Sequence, residues 1–110
     1  MASFSVCVTD RCRCTVIVLA GDLDVFSAPL LRQALLDALA RGRARLVVDA
    51  ANLESCDSAG LLTLIEGHYC AIAAGGHLSL AYVHGALKHL VEASGQVGAC
   101  PLDVDVATQE

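Results

Sequence analysis

The chain has no tryptophan and only two tyrosines and two phenylalanines among its 110 residues. Because apolar residues still make up 55% of it, the core has to be built from leucine, valine, isoleucine and alanine. Positive charge is also scarce: there are seven Lys and Arg, and the formal net charge is -5. Nucleic-acid-binding domains present a basic face, so this composition argues against direct nucleic-acid binding and favours a protein that binds other proteins.

Long uninterrupted apolar runs are missing as well. The longest apolar stretch, Ala59 to Ala74, is interrupted by Glu66 and His68, and it is too short and too polar to span a bilayer. The N-terminus lacks the basic and then apolar segments of a secretory signal. We therefore expect a cytoplasmic protein without membrane contact, folded as one domain over residues 1–110 with a core from about residue 4 to about residue 106.

The six cysteines form no pattern that predicts a metal site. Cys12 and Cys14 make a C-x-C pair, but no second ligand pair follows at zinc-binding spacing. A disulfide framework is not expected without a secretory signal. We expect reduced thiols that act as small apolar side chains, with a redox role for Cys12 or Cys14 as the alternative, and neither metal nor cofactor. The remaining cysteines are Cys7, Cys56, Cys70 and Cys100.

The hydrophobic pattern predicts the element order β-β-α-β-α-β-α-β. Alternation at Phe4, Val6 and Val8 predicts a first strand, and the β-branched run 15–20 predicts a second that pairs with it across a turn at 9–11. Strand–helix–strand units then imply right-handed parallel crossovers. The predicted fold class is α/β, with helices packed on a mixed sheet of four or five strands that opens with a β-hairpin.

Turn residues and helix caps set the other predicted boundaries. A loop over 21–26 leads to a helix capped by Ser27, with Pro29 in its first turn and Gly42 after its end. A strand over 45–50 and a loop over 51–57 precede a second helix, capped by Ser58 and running to about Ala74. A strand over 77–83, a helix over 86–94 closed by Gly95 and a final strand around 102–106 complete the chain.

The segment Asp57-Ser58-Ala59-Gly60 is the main candidate functional site, because it follows a buried strand and opens a helix. Free backbone N–H groups at a helix N-terminus favour an anion, so a phosphate on Ser58 should be tolerated by the helix. It should change binding more than folding. A stripe of residues that differs from the apolar rest of this helix continues from Ser58, and we expect it to be exposed: Ala59, Thr63, Glu66 and Cys70.

Three other interpretations of these residues remain open. Ser58 alone could be an ordinary helix cap, because serine is common there. A serine hydrolase is disfavoured, since the segment lacks the G-x-S-x-G pattern and the domain leaves little room for a substrate pocket. A phospho-acceptor receiver domain with Asp49 as acceptor is disfavoured too, because the only lysine, Lys88, falls inside a helix and the opening hairpin does not suit that fold.

Several segments together resemble the STAS family, in particular the bacterial anti-sigma factor antagonists. Val18-Leu-Ala-Gly-Asp-Leu-Asp24 is similar to the family's strand followed by G-[ED]-[LI]-D, and Cys56-Asp-Ser-Ala-Gly-Leu-Leu62 is similar to its D-S-[SA]-G core. Gly75-Gly-His-Leu-Ser-Leu80 and Leu90-Val-Glu-Ala-Ser-Gly95 match its late strand and last helix. The resemblance covers about residues 15 to 102.

The resemblance implies a non-enzymatic switch. The unphosphorylated protein would bind an anti-sigma factor, often itself a serine kinase of the GHKL type, and so release the sigma factor. Phosphorylation of Ser58 would end binding, and a PP2C-type phosphatase would restore it. The alternative is a STAS interaction, scaffold or ligand-sensing module without a phosphorylation cycle. The implied contact residues are Asp22, Asp24, Ser27, Asp57, Ser58, Ala59, Thr63, Glu66 and Cys70.

Overall fold

A computed structural model of the chain describes residues 3–93 and the backbone of residues 103–105. The predicted closing Gly95, the outer ends of the predicted last strand and Cys100 lie outside the described residues. The element order is the predicted one. The elements are β1 Ser5–Asp10, β2 Thr15–Leu23, α1 Ala28–Ala40, β3 Arg45–Cys56, α2 Ser58–Ala73, β4 His77–Ala81, α3 Gly85–Ala93 and β5 Asp103–Asp105.

The strands form one five-stranded sheet in the order β1-β2-β3-β4-β5. β1 pairs antiparallel with β2, and β2 to β5 are parallel to one another. The predicted α/β class, mixed sheet and opening hairpin are therefore confirmed. Because β2, β3 and β4 are parallel, they all end at one edge of the sheet, where α1 and α2 begin; we call this the upper end of the molecule. The lower end holds the hairpin turn and the residues that follow α1 and α2.

The core is aliphatic, as the composition predicts. Every large side chain that is fully buried is Leu, Ile or Val, and these come from the strands as well as from the helices. α1 buries Leu31, Leu35 and Ala38, which are three or four residues apart and so share one face of the helix. No helix among the described residues is long and apolar enough to cross a membrane.

β2 and β3 are longer than the sequence predicts: the predicted loop 21–26 is wrong over its first half, and the predicted loop 51–57 is wrong except at its last residue. Parallel pairing continues with Gly21 opposite Leu53 and Leu23 opposite Cys56. Register shifts interrupt the ladder on the way. They break the two-residue alternation by which a strand is normally recognised, so the buried Leu53 and Cys56 lie three residues apart and do not resemble strand residues.

Other boundaries move by only a few residues. The predicted turn at 9–11 lies over 11–14, because β1 pairs with β2 as far as Asp10 opposite Thr15. β4 ends at Ala81, since Tyr82 has a φ of 59° and leaves the extended conformation. α1 ends before Gly42 as predicted, and α2 ends before Gly75; both glycines have positive φ, which suits the end of a helix.

Candidate functional site

The upper end of the molecule is built where β2 and β3 stop and α1 and α2 start. The backbone N–H of Asp57 donates to the carbonyl oxygen of Leu23 at 3.0 Å, which joins the ends of the two strands. Asp57 then turns the chain into α2, and its carboxylate accepts the N–H of Gly60 at 3.1 Å. Asp57 is therefore the N-cap of α2. The prediction that Ser58 caps the helix is wrong, because the capping position falls one residue earlier.

Ser58 is the first residue of α2 and is exposed to solvent. Within the described residues its hydroxyl makes no hydrogen bond. The side chain is therefore accessible to another protein and is not needed to hold the helix start. The backbone around it also provides N–H groups of the first helical turn, which favour a negatively charged group nearby.

The segment from Asp22 to Ser27 is held by its own polar side chains. The carboxylate of Asp24 accepts the N–H groups of Phe26 and Ser27, each at 3.0 Å. The backbone hydrogen bond from Ser27 is the main reason that the pKa of Asp24 lies below its ordinary value. Asp24 therefore shapes this segment and also adds its negative charge to the upper end of the molecule.

Ser27 also has a different role from the predicted one. It stands at the N-cap position of α1, but its side chain makes no cap hydrogen bond. Instead the buried hydroxyl donates to the carbonyl oxygen of Asp22 at 2.9 Å and accepts the N–H of Asp24 at 2.8 Å. Asp22 in turn accepts the hydroxyl of Ser55 at 2.8 Å, which ties the segment to β3. Ser27 is a structural residue beneath the surface that the loop presents.

That surface is apolar, which sequence reasoning missed. Val25 and Phe26 lie at the tip of the segment, and Phe26 is 88% exposed. Leu30 in the first turn of α1 and Leu62 in the second turn of α2 are also more than half exposed. A signal was present in the sequence: Val25 and Phe26 are large apolar residues in a predicted loop, where no strand or helix stripe would bury them. All four belong to segments at the upper end of the molecule, and we call them the upper apolar patch.

The predicted stripe along α2 is not an exposed surface. Thr63 is only 4% exposed, and its hydroxyl donates to the carbonyl oxygen of Ala59 at 3.0 Å. Glu66 is half-buried and pairs with Arg32 of α1 at 2.5 Å. This side of α2 faces α1, which covers the most polar stripe of the helix. The other sides of α2 are largely apolar. Of the four predicted residues, Ala59 is partly exposed and only Cys70 is exposed as predicted.

The described cysteines, from Cys7 to Cys70, are free thiols. Cys56 lies beneath the start of α2, where burial above all, and then the charge of Asp57, raises the pKa of its thiol to about 12. A thiol with so high a pKa stays protonated and is a poor nucleophile or metal ligand. Among residues 3–93, no group of His, Cys, Asp and Glu is arranged to hold a metal ion.

Asp49 does not match the receiver interpretation. It lies in the middle of β3 rather than at the carboxyl end of the strand. Its carboxylate accepts the N–H of Ala51 at 2.9 Å. The structure thus gives it a local backbone contact, whereas Asp57 and Ser58 occupy the end of the strand.

Comparison with known proteins places this geometry in a family. The family model described as Mlab, STAS domain matches residues 8–98. The crystal structure of an anti-sigma factor antagonist from Mycobacterium paratuberculosis superposes with a TM-score of 0.80 at 25% sequence identity, covering 92% of this chain and 86% of that one. A search of curated proteins gives no match.

Two further solved structures share the fold at lower identity. The Bacillus cell fate determinant SpoIIAA in its phosphorylated form has a TM-score of 0.73 at 21% identity, covering 97% of this chain and 93% of that one. The murine anion transporter Slc26a9 has a TM-score of 0.73 at 13% identity, with 91% of this chain matching 17% of that one. The fold is therefore found both as a nearly whole chain and as part of a much larger protein.

Proposed function

This chain belongs to the STAS domain family, and from that premise we propose that it is an anti-sigma factor antagonist that is switched off by phosphorylation of Ser58. The observation that carries the proposal is the position of Ser58: exposed, without a hydrogen bond among the described residues, and at the start of α2 beside the upper apolar patch. A kinase can reach such a hydroxyl, and a bound partner would cover it. The 25% identity to an anti-sigma factor antagonist of known structure supports the same role.

The capping arrangement supports a switch that leaves the fold intact. Because Asp57, and not Ser58, accepts the N–H of Gly60, a phosphate on Ser58 takes no cap from α2. The N-terminus of a helix also favours negative charge. We therefore expect the phosphorylated protein to keep its structure and to differ from the unmodified protein at its surface.

The charges nearby explain how the phosphate would weaken binding. A phosphoserine adds about -1.5 to -2 charges, and Asp57 is its immediate neighbour. Asp22 and Glu54 lie at the same end of β2 and β3. A partner fitted to the neutral Ser58 and to the upper apolar patch would have to accommodate a doubly charged, strongly hydrated group, which costs several kcal/mol when it cannot be paired.

The proposed partner of the unphosphorylated protein is an anti-sigma factor that is itself a serine kinase, and a PP2C-type phosphatase would remove the phosphate. The upper apolar patch would supply the apolar contact area, with Phe26 as its most exposed member. Asp57, Ser58 and Ala59 would lie at the edge of that contact. Asp24 and Ser27 would act by holding the Val25–Phe26 tip in place.

The experiment is to incubate the protein with its cognate anti-sigma kinase and ATP, and to map phosphate by mass spectrometry. We expect label on Ser58 that is lost in Ser58→Ala and kept in Ser5→Ala, an exposed serine of β1 that serves as the control. Calorimetric titration of the anti-sigma factor should show Ser58→Asp binding at least about tenfold more weakly than Ser58→Ala, or about 1.4 kcal/mol.

A second function is favoured by the occurrence of this fold within a transporter chain. The protein would then be a STAS interaction module without a phosphorylation cycle. Equal affinities of wild type and Ser58→Asp for the partner, with no label on Ser58, would support this module and contradict the switch.

A further inference from the structure

The solvent side of α2 carries a row of large apolar side chains that nothing within the described residues covers. Leu62, Tyr69 and Ile72 are 55%, 61% and 52% exposed, and Ile65 between them is half-buried. We call these four residues the α2 seam. They lie on the side of the helix that turns away from α1, and Ser58 stands one turn before the first of them.

The spacing of the α2 seam matches helix-to-helix packing. From Ser58 to Ile72 the positions are alternately four and three residues apart. This is the spacing of the a and d positions through which two helices pack side by side along their whole length. Glu66, the one Asp, Glu, Lys or Arg within α2, is already paired with Arg32. A second helix could therefore lie along α2 without burying an unpaired charge of α2 itself.

The charges of the molecule are separated along the direction of α2. The carboxylates Asp22, Glu54 and Asp57 lie at the upper end, where α2 begins. The lower end holds five of the seven Lys and Arg, offset in part by Asp10, which pairs with two of them, and by Asp37 and Glu92 near the ends of α1 and α3. Three of the five, Arg13, Arg43 and Arg45, border a cleft of about 230 Å³ next to Gly75 and Gly76, after the end of α2. The five are Arg11, Arg13, Arg41, Arg43 and Arg45.

We infer that the α2 seam pairs with the α2 seam of a second copy of this chain, the two helices running antiparallel. A twofold axis across the middle of α2 brings the acidic upper end of each copy to the arginine-rich lower end of the other, and it does so twice. In the register that pairs a with d positions, Leu62 lies opposite Ile72 of the second copy and Ile65 lies opposite its Tyr69. Parallel pairing would instead bring like charges together at both ends.

The dimer should be weak and sensitive to salt. A seam on one helix of 16 residues is a small contact compared with the roughly 800 Å² per partner of a stable interface. We expect a dissociation constant on the order of 10 to 100 μM, weakened several-fold in about 1 M NaCl, where the attraction between the ends is screened. The pairing would cover Leu62, so a protein that binds around Ser58 would compete with the second copy.

Sedimentation equilibrium of the full chain from about 1 μM to about 1 mM brackets that range. Wild type should pass from monomer to dimer, and Tyr69→Glu should stay monomeric. The matched control is Leu36→Glu, an apolar residue of α1 that is 46% exposed and lies off the seam; it should dimerise as wild type does. Circular dichroism checks that each variant is folded, as expected for changes at exposed positions.

A charge pair tests the direction of the helices. Leu62→Glu and Ile72→Lys should each abolish the dimer, and the double variant should regain it, because antiparallel packing sets each new glutamate against a new lysine. A double variant that stays monomeric overturns the antiparallel register. If wild type is monomeric at every concentration, or if Tyr69→Glu dimerises as wild type does, the proposal that a second copy covers the α2 seam is wrong. None of these results depends on whether Ser58 is phosphorylated.

Discussion

Phe26 is the most exposed of the large apolar side chains that the structure describes. Binding energy at protein interfaces is concentrated in a few anchors, often aromatic. We expect Phe26→Ala to raise the dissociation constant for the anti-sigma factor by roughly 10- to 30-fold, about 1.4 to 2 kcal/mol. Its free energy of unfolding should change by less than about 0.5 kcal/mol, because the ring contributes little to the core.

The measurement is a calorimetric titration paired with urea unfolding of the same variants. Leu36→Ala, which removes an exposed apolar side chain from α1 away from the upper apolar patch, is the control and should bind as wild type does. An unchanged affinity of Phe26→Ala would remove the upper apolar patch from the proposed contact surface.

Asp24 makes the stability of the fold depend on pH in the acid range. Its hydrogen bonds to Ser27 and Phe26 lower the pKa of the folded-state carboxyl below its ordinary value of 3.8. A lowered pKa contributes stability that is complete above the unfolded-state value and is lost as pH falls through the folded-state value. The same holds for Asp10, whose pKa is lowered by its hydrogen bonds to Thr15 and Arg41. The protein should therefore lose stability as pH falls below 3.8.

Asp24→Asn tests this expectation, because the amide oxygen can still accept the loop N–H groups but does not titrate in this range. Urea midpoints measured from about pH 6 to about pH 2 should fall less steeply for the variant than for wild type. Identical slopes would show that this carboxylate is not among the groups that couple folding to pH.

The sequence alone does not show which residue caps α2. Aspartate and serine are about equally good N-caps, so Asp57-Ser58 leaves the capping residue undecided. The choice is made by the end of β3, where the N–H of Asp57 bonds to Leu23 of the neighbouring strand. The sequence correctly predicts that Ser58 lies at the start of α2. That its hydroxyl is not used as the cap depends on the contact between Asp57 and Leu23, which are far apart in the sequence.

At the scale of elements, the start of α2 packs so tightly that Gly60 has no room for a side chain. A Cβ there would lie 2.6 Å from Cγ of Leu23 and 3.0 Å from Sγ of Cys56. Leu23 is fully buried and cannot move aside freely. We expect Gly60→Ala to destabilise the protein by about 1 to 3 kcal/mol in urea unfolding, although alanine is the better helix former.

Ser58→Ala is the control for this variant, since it changes an exposed position two residues away on the same turn. Its unfolding free energy should stay within about 0.5 kcal/mol of wild type. If Gly60→Ala is as stable as Ser58→Ala, the side chains of Leu23 and Cys56 can move aside without loss of stability. The close approach of α2 to β2 would then not be required for the fold.

Element boundaries and faces were predicted less well than element order. Register shifts hid the upper halves of β2 and β3. For α2, leucine, isoleucine and tyrosine occupy nearly every side, so periodicity alone could not choose the face that α1 covers. The buried Thr63 and the exposed Tyr69 are the two consequences. Which face is solvent-exposed depends on the neighbour, and the neighbour is set by the tertiary structure.

At the scale of the whole molecule, the sequence predicts more of the structure than it does for single residues or element boundaries. The order of strands and helices follows from alternation and helical periodicity, and the right-handed crossover rule then restricts how the strands can be arranged. The structure confirms the element order and the mixed sheet with its opening hairpin. The separation of charge between the upper and lower ends was not predicted. Arg11 to Arg45 are spread along the chain and meet only when the hairpin turn is brought beside the end of α1.

Arg43 holds two of these arginine-bearing segments together in the folded protein. Its guanidinium donates to the hydroxyl of Thr15 at 2.8 Å and to the carbonyl oxygen of Cys14 at 2.9 Å, and it also contacts the carbonyl oxygen of Arg11. It thereby fastens the hairpin turn to the segment after α1. The arginine-rich lower end thus contributes to stability as well as to the long-range field of the molecule.

The capping of α2 by Asp57 also bears on how long each form of the protein persists in the cell. Degradation depends on how often a chain unfolds, so forms of equal stability are removed at equal rates. If Ser58 is phosphorylated, no helix cap is lost, so the phosphate does not by itself make the chain unfold more often. The proposed kinase and phosphatase, rather than proteolysis, would then be the main influence on the ratio of the two forms.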